Sequence, residues 1–244
     1  IFEKTSSLLE SNIIVAKQSS KEIVECIKKN ISNNKANKYF FNEDYNFVSM
    51  ENDFFYYEDK YGSLKIPKPG MSGQFQLENA STAIASLRVL ENLKIRDEQI
   101  INGIKNAYNS ARLEEIKSGK LKDLVKNNTL IIDSSHNPGG SKALNEYLQT
   151  LNCNKHIIVG MMENKDHEKF INYFKNISSL TVIDIPNQAN AISGKKLKEK
   201  FKKFKNLNYV KTIEQALKSL QLEKNDIILI TGSIYLAGEV LNLN

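Results

Sequence analysis

The chain has 244 residues, 41% hydrophobic and 25% charged, with 34 basic against 28 acidic side chains and a formal net charge of +6. These values fit one large or two modest folded domains and exclude a collagen-like chain, a disulfide-stapled miniprotein and a wholly disordered one. No apolar run approaches the length of a membrane span, and nothing at the start reads as a signal peptide; the opening Ile1-Phe2-Glu3-Lys4 lacks an initiator Met, so a chain without its first part is expected.

The first part opens with a short apolar strand, Asn12 to Ala16. A helix follows, with Ile23, Val24, Ile27 and Ile31 on one side, and Tyr39 to Phe41 reads as another strand. From Tyr45 to Ile66 the pattern is aromatic and β-branched, with turn residues at Glu51-Asn52-Asp53 and Tyr61-Gly62-Ser63, which predicts antiparallel strands. Pro67, Pro69, Gly70 and Gly73 make a loop. A helix then places Ala80, Ala83, Ile84, Leu87 and Leu90 on one face, and a second carries Ile100, Ile101 and Ile104.

The second part alternates more regularly. Five segments read as strands: Thr129 to Asp133, Ile157 to Gly160, Thr181 to Ile185, Tyr209 to Lys211 and Ile227 to Thr231. A helical pattern follows each of the first four, carried by Leu144 and Leu148, by Phe170 and Phe174, by Leu197 and Phe201, and by Ala216 and Leu217. A closing helix runs through Leu236 to Leu241. The fold class is therefore α/β, with βαβ units and a mostly parallel sheet covered on both faces. The chain divides near residue 110, giving domains 1–110 and 111–244. In such sheets ligands bind at the carboxyl ends of the strands, so function is sought in the loops there.

The basic excess does not point to nucleic acid. Only Arg88, Arg96 and Arg112 are arginines, the residue best suited to bidentate phosphate and base contacts. The cluster Lys195, Lys196, Lys198, Lys200, Lys202 and Lys203 alternates with Leu197, Phe201 and Phe204 at helical spacing, which reads as a solvated helix face. Cys26 and Cys153 match no metal or redox spacing, and reduced structural thiols suit the cytoplasm.

The first strand of the second part ends in Asp133-Ser134-Ser135-His136-Asn137-Pro138-Gly139-Gly140. A strand-end carboxylate suits ribose hydroxyls, and His136 sits ahead of a helix start that favours anions. The alternatives are a plain tight turn with Asp133 as a cap, or a metal site on Asp133 and His136, for which no third ligand is evident. After the second strand Lys165 can meet a phosphate or carboxylate, or belong to a solvated loop whose Asp166 caps the next helix. His156 and His167 read as surface residues. Ser233, in Thr231-Gly232-Ser233, offers a hydroxyl where the glycine allows close approach, and Asp184 carries no clear signal. In the first part Asn79 has the donor and acceptor of a base reader, or caps a helix start. Arg112, at the seam, reaches a phosphate or forms an interdomain ion pair.

Taken in order, Gln76-x-x-Asn79-Ala80, Arg112-Leu113-Glu114, Asp133-x-x-His136-Asn137-Pro138, Lys165-Asp166 and Thr231-Gly232-Ser233-x-Tyr235-Leu236-Ala237-Gly238-Glu239-Val240 resemble the later part of the folylpolyglutamate synthase/dihydrofolate synthase family of the Mur ligase superfamily. The resemblance is weak before residue 66 and firm after it. It implies part of a Mur-ligase central ATPase domain followed by a Rossmann-like C-terminal glutamate ligase domain.

The implied reaction starts with ATP phosphorylating a pteroate or folyl-glutamate carboxylate. The amino group of L-glutamate then attacks the acyl phosphate. Asn79, Arg112 and Asp133 would hold the adenine, phosphates and ribose of ATP. His136, Lys165 and Ser233 would be the catalytic group around the incoming glutamate. The implied partners are ATP, L-glutamate and dihydropteroate or folate, with Mg²⁺ as cofactor, and neither nucleic acid nor membrane; a cytoplasmic monomer is expected.

The chain also departs from the family. No Gly-x-x-x-x-Gly-Lys-Ser/Thr pattern occurs, and the family's Mg²⁺ ligands belong with that missing region, so no metal ligand is expected here and the chain alone should not turn over. Phe75 stands where the family commonly has His, and Ala111 where it usually has Gly. Near the start Glu3-Lys4 resembles a family segment, and Leu9-Glu10 falls where a carbamylated lysine would follow, so Glu10 is a candidate for its permanent negative charge. The rival readings are another Mur-type ligase and a non-catalytic nucleotide- or glutamate-binding module.

Overall fold

The computed structural model describes residues 12–49, 53–90 and 92–244. Glu3, Lys4, Leu9 and Glu10 lie outside the described residues, as do Glu51 and Asn52 of the expected turn. The chain separates into two compact units. One takes Gln74–Tyr108 with the chain up to Gly70, the other Met71–Gly73 with Asn109–Asn244.

In the first unit β1 (Ile13–Val15) and β2 (Lys38–Phe40) pair in parallel around α1 (Lys21–Asn30). Ser20 caps α1 by accepting the Ile23 N–H. The two-residue period of a strand sends Ile13 and Val15 into a small cluster with Ile31 and Phe40, while Ile14 packs on the other side. β3 (Tyr45–Ser49), β4 (Phe54–Asp59) and β5 (Gly62–Pro67) form an antiparallel meander. Its alternating Phe55, Tyr57, Leu64 and Ile66 pack against Leu77, Ala80 and Ile84 of α2 (Phe75–Arg88) and Ile100 and Ile104 of α3 (Asp97–Lys105). The buried face of α2 differs from the sequence expectation. Ala83 and Leu90 are exposed, and Leu90 lies beyond the last turn, because Ser81 and Ala85 complete the stripe instead. Tyr57 donates to Asp59 at 2.9 Å, and Arg88 pairs with the same carboxylate at 3.1 Å. Burial first, and then that hydrogen bond, push the Tyr57 phenol far above its ordinary range.

The second unit holds one sheet of strand order β10-β9-β8-β11-β7-β6. Its elements are β6 (Glu114–Ile116), α4 (Lys120–Val125), β7 (Thr129–Ile132), α5 (Pro138–Gln149), β8 (Lys155–Val159), α6 (His167–Asn172), β9 (Ser179–Val182), α7 (Gly194–Lys200), β10 (Leu207–Tyr209), α8 (Ile213–Ser219), β11 (Ile227–Thr231) and α9 (Ile234–Leu243). All pairs are parallel except β6 with β7. One face carries α5, α6 and α7 packed in series, and the other α4 against α8 and α9. This covering explains why β8 and β11 are buried at every position. Strand β6 and helix α4 were not legible in the sequence. Glu114-Glu115-Ile116 is too short and too charged to show a period, and it pairs only as an edge.

Two histidines differ from the expectation of a surface position, each 6% exposed. His156 bridges Ser179 Oγ at 2.8 Å and Asp226 at 3.2 Å, near the amino ends of β8 and β11. His167 lies 2.9 Å from the Met162 carbonyl through Nε2. Both are buried because hydrogen-bond partners satisfy their rings.

Candidate functional site

Three neighbouring strands, β8, β11 and β7, end side by side, so their following loops share one rim. Hydrogen bonds bolt these loops together. The Ser135 carbonyl accepts the Gly232 N–H at 3.0 Å and the Thr231 hydroxyl at 3.3 Å. The loop after β8 is stitched to the one after β9 by Glu163 N–H to Asn190 O at 2.9 Å and Ile192 N–H to Met161 O at 3.1 Å.

This rim opens into a cavity of about 840 Å³ lined by His136, Met162, Glu163, Asn164, Lys165, Ala189, Asn190, Ala191, Lys196, Ser233, Ile234 and Tyr235. His136, Lys165 and Ser233, singled out on separate loops of the sequence, therefore share one wall. Glu163, Asn164, Asn190, Lys196 and Tyr235 were missed. Lys196 looked like one of many lysines on a solvated helix face, and only the β9–α7 crossover brings it here.

Each of the three is held differently. His136 is half-buried, and its Nδ1–H donates to the Ser134 carbonyl at 3.1 Å, which leaves Nε2 of the neutral ring with a lone pair. Asn137 caps α5 by accepting the Gly140 N–H at 2.9 Å, with Pro138 in the first turn. Gly140 is packed so closely that a Cβ would sit 2.6 Å from Ser135 Oγ. Ser233 is 2% exposed and caps α9, its Oγ accepting the Tyr235 N–H at 3.1 Å, so its own proton is free to donate. Gly232 before it has φ +109°, and a Cβ there would lie 2.6 Å from the Gly160 carbonyl. Lys165 is half-buried beside Asp166, which caps α6 by accepting the Lys169 N–H at 3.1 Å. The Lys169 ammonium and that backbone bond hold the Asp166 carboxyl below its ordinary value.

Asp133 is 1% exposed at the end of β7. Its Oδ1 accepts the Ser135 N–H at 2.7 Å and its Oδ2 the Leu113 N–H at 2.9 Å. Each oxygen thus takes one backbone donor, so the carboxylate clamps the turn at residues 111–113, the capping role that the sequence left open beside ribose binding. Ala111 (φ +55°) and Leu113 (φ +47°) flank Arg112 in the left-handed region, and both are buried. The Ala111 carbonyl accepts the Ser134 N–H at 2.9 Å, and the Ala111 N–H donates to Glu114 at 2.7 Å. Arg112 is turned outward, and no partner for its guanidinium is found among the described residues.

In the other unit Asn79 is exposed on α2. The helix begins at Phe75, so Asn79 lies in the second turn and does not cap it. Its Nδ2 donates to Gln76 Oε1 at 3.0 Å, leaving Asn79 Oδ1 available, and among the described residues the buried Gln76 Nε2 has no partner. Among the described residues no three His, Cys, Asp or Glu side chains come together as a metal site, and no helix is long and apolar enough to cross a membrane.

Comparison with known proteins supplies a family. The model of the Mur ligase, glutamate ligase domain, matches residues 112–234. No curated protein matches by sequence. Among solved structures, E. coli FolC in complex with ADP is similar over 99% of this chain and 55% of its own, at 20% identity and a TM-score of 0.78. A Mycobacterium tuberculosis folylpolyglutamate synthase complexed with ADP and AMPPCP matches at 17% identity and a TM-score of 0.82, over 99% and 58%. The bifunctional folylpolyglutamate synthase/dihydrofolate synthase of Yersinia pestis with Mn, AMPPNP and L-glutamate bound matches at 19% and 0.79, over 99% and 55%. At these identities the likeness is one of fold, and the chain spans little more than half the length of each.

Proposed function

The chain belongs to the Mur ligase family through its glutamate ligase domain, and from that premise we propose that it works in an ATP-dependent ligase joining L-glutamate to the carboxylate of dihydropteroate or a folyl-glutamate. The observation that carries this reading is the shared cavity of His136, Lys165 and Ser233. An anionic amino acid needs cations, hydrogen-bond donors and a group that can receive an ammonium proton, and this cavity has all three.

In the reaction an acyl phosphate forms from ATP and the acceptor carboxylate. The glutamate amine then attacks the acyl carbon, and phosphate leaves with the bonding electrons. The protein's work is positioning and charge stabilisation. Lys165 binds a glutamate carboxylate, the Ser233 hydroxyl donates to a second oxygen, and His136 Nε2 takes the proton that the amine must lose before or as it attacks. On the nucleotide side Asn79 presents Oδ1 and the remaining Nδ2 proton to the adenine edge. Arg112 takes the phosphates, and Asp133 acts beneath it by holding the turn rigid. Mg²⁺ would neutralise phosphate charge when bound with the nucleotide; among the described residues no three His, Cys, Asp or Glu side chains come together to hold it by themselves.

The experiment is phosphate release by the protein carrying this chain, given ATP, L-glutamate and either dihydropteroate or a folate. Release that requires both L-glutamate and one acceptor is the expected result, and the acceptor that works fixes the specificity. Nucleotide and glutamate binding without release would instead support a binding module. Release that ignores L-glutamate would sink the reading.

A further inference from the structure

The wall shared by His136, Lys165 and Ser233 is completed by Lys196. We propose that Lys196 is a specificity-determining residue: with Lys165 it makes the cavity a two-cation site for a small amino acid bearing a second carboxylate, a deepening that rests on the glutamate reading above. Its place is built, not incidental. Asp184, at the end of β9, accepts the Gly194 N–H at 2.6 Å and the Tyr209 hydroxyl at 2.8 Å. Ser193 Oγ accepts the Lys196 N–H at 3.4 Å. A Cβ on Gly194 would lie 2.4 Å from the Tyr209 ring, so the start of α7 is pressed against β10 and cannot slide.

The charges of the cavity also match one ligand class. Lys142 and Lys169 at the surface pair with Glu146 and Asp166. Among the described residues no partner is found for the ammonium of Lys165 or Lys196. Glu163 supplies one negative charge to the same wall. L-glutamate carries two carboxylates and one ammonium, and two lysines with one carboxylate are its complement. L-glutamine leaves one lysine facing an amide, and glutarate leaves Glu163 without a cation, so each wrong ligand meets an unpaired charge. Lys195 and Lys200, on the same helix, do not line the cavity, so the contribution is specific to one residue.

The test is titration of the 244-residue chain with L-glutamate and with L-glutamine, followed by amide chemical shifts, which also report that each variant is folded. The wild type should prefer L-glutamate. Lys196→Ala and Lys196→Gln should each weaken L-glutamate roughly fivefold, the upper end for a solvent-exposed ion pair, and leave L-glutamine unchanged. Lys196→Arg should restore most of the preference, and Lys200→Ala should behave as wild type. If both Lys196 variants keep the wild-type preference, or Lys200→Ala loses it equally, the assignment to Lys196 is overturned while the glutamate reading stands. A folded wild type that binds L-glutamate no better than L-glutamine overturns the glutamate reading itself.

Discussion

Asp133 holds Leu113: from 1% exposure its Oδ2 accepts the Leu113 backbone N–H at 2.9 Å, and this fixes the turn that projects Arg112. The two residues lie on different elements, so the end of β7 sets the geometry of the segment before β6. Two left-handed residues, one on each side of an arginine, are costly, at about 1–2 kcal/mol each. They persist because the carboxylate, the Ser134 N–H and Glu114 hold them.

Removing that carboxylate should therefore cost both stability and nucleotide use. Asp133→Ala leaves two buried N–H groups unpaired, at about 1–3 kcal/mol each. Asp133→Asn keeps one acceptor and should lose about half as much. Arg112→Ala, an exposed residue, should change stability by less than about 0.5 kcal/mol yet weaken nucleotide binding by about tenfold or more, the usual loss for a charge-assisted contact. Urea unfolding together with nucleotide titration separates the two effects. Nucleotide affinity that survives both Asp133→Ala and Arg112→Ala would remove this turn from the site.

Gly232→Ala should damage the same rim from the β11 side. The backbone there has φ +109°, and the new Cβ would press against the Gly160 carbonyl at 2.6 Å. The strain is on the order of 2 kcal/mol or more, since the contact is with backbone and cannot swing away. The strand end must shift, and Ser233 with it. The expected outcome is a lower thermal midpoint together with weaker L-glutamate binding, whereas Gly238→Ala, whose Cβ meets nothing within 4 Å, should be neutral or mildly stabilising.

The sequence made the βαβ alternation and the loops at the strand ends legible, because parallel strands buried on both faces read as short apolar runs between helical periods. What it hid depended on partners distant in sequence. Asp133 read either as a ribose-binding carboxylate or as a cap, since nothing local reveals that the Leu113 N–H donates to one of its oxygens and the Ser135 N–H to the other. His156 looked exposed, because its partner Asp226 stands 70 positions away. Asp184 carried no visible signal, though it anchors both Gly194 and Tyr209. Lys196 was one lysine in a run of lysines until the chain crossover set it on the cavity wall.

The Asp184 anchor gives a pH signature. The hydrogen bond from Tyr209 to Asp184 comes first among the causes that raise the Tyr209 phenol above its ordinary value of 10.0. The folded state thus binds this proton more tightly than the unfolded chain. The stabilisation is complete below the unfolded value and is lost as pH rises through the raised folded one. Tyr209→Phe removes the donor and should flatten this part of the alkaline stability curve, measured by unfolding between pH 9 and 12 with all other tyrosines shared. Parallel curves for the two proteins would show that the bond contributes nothing in solution.

His136 provides the sharpest separation of structure from chemistry. Its Nδ1–H is committed to the Ser134 carbonyl at 3.1 Å, so any catalytic proton must arrive at Nε2. In His136→Asn the amide stands near the Nδ1 position and can keep the Ser134 bond, but nothing replaces Nε2. In His136→Gln an amide oxygen can reach toward the Nε2 position and accept a hydrogen bond, yet it cannot take up a proton at neutral pH. Both variants should keep the fold and the nucleotide affinity, which the proposed function assigns to the Arg112 turn. Both should lose roughly 10²-fold in kcat/KM for L-glutamate if Nε2 acts as the base. If Nε2 only accepts a hydrogen bond from the glutamate ammonium, His136→Gln recovers most of the loss and His136→Asn does not. Steady-state kinetics at varied L-glutamate in the protein that carries this chain distinguishes the two, and a near-wild-type His136→Asn would take His136 out of the proposed reaction altogether.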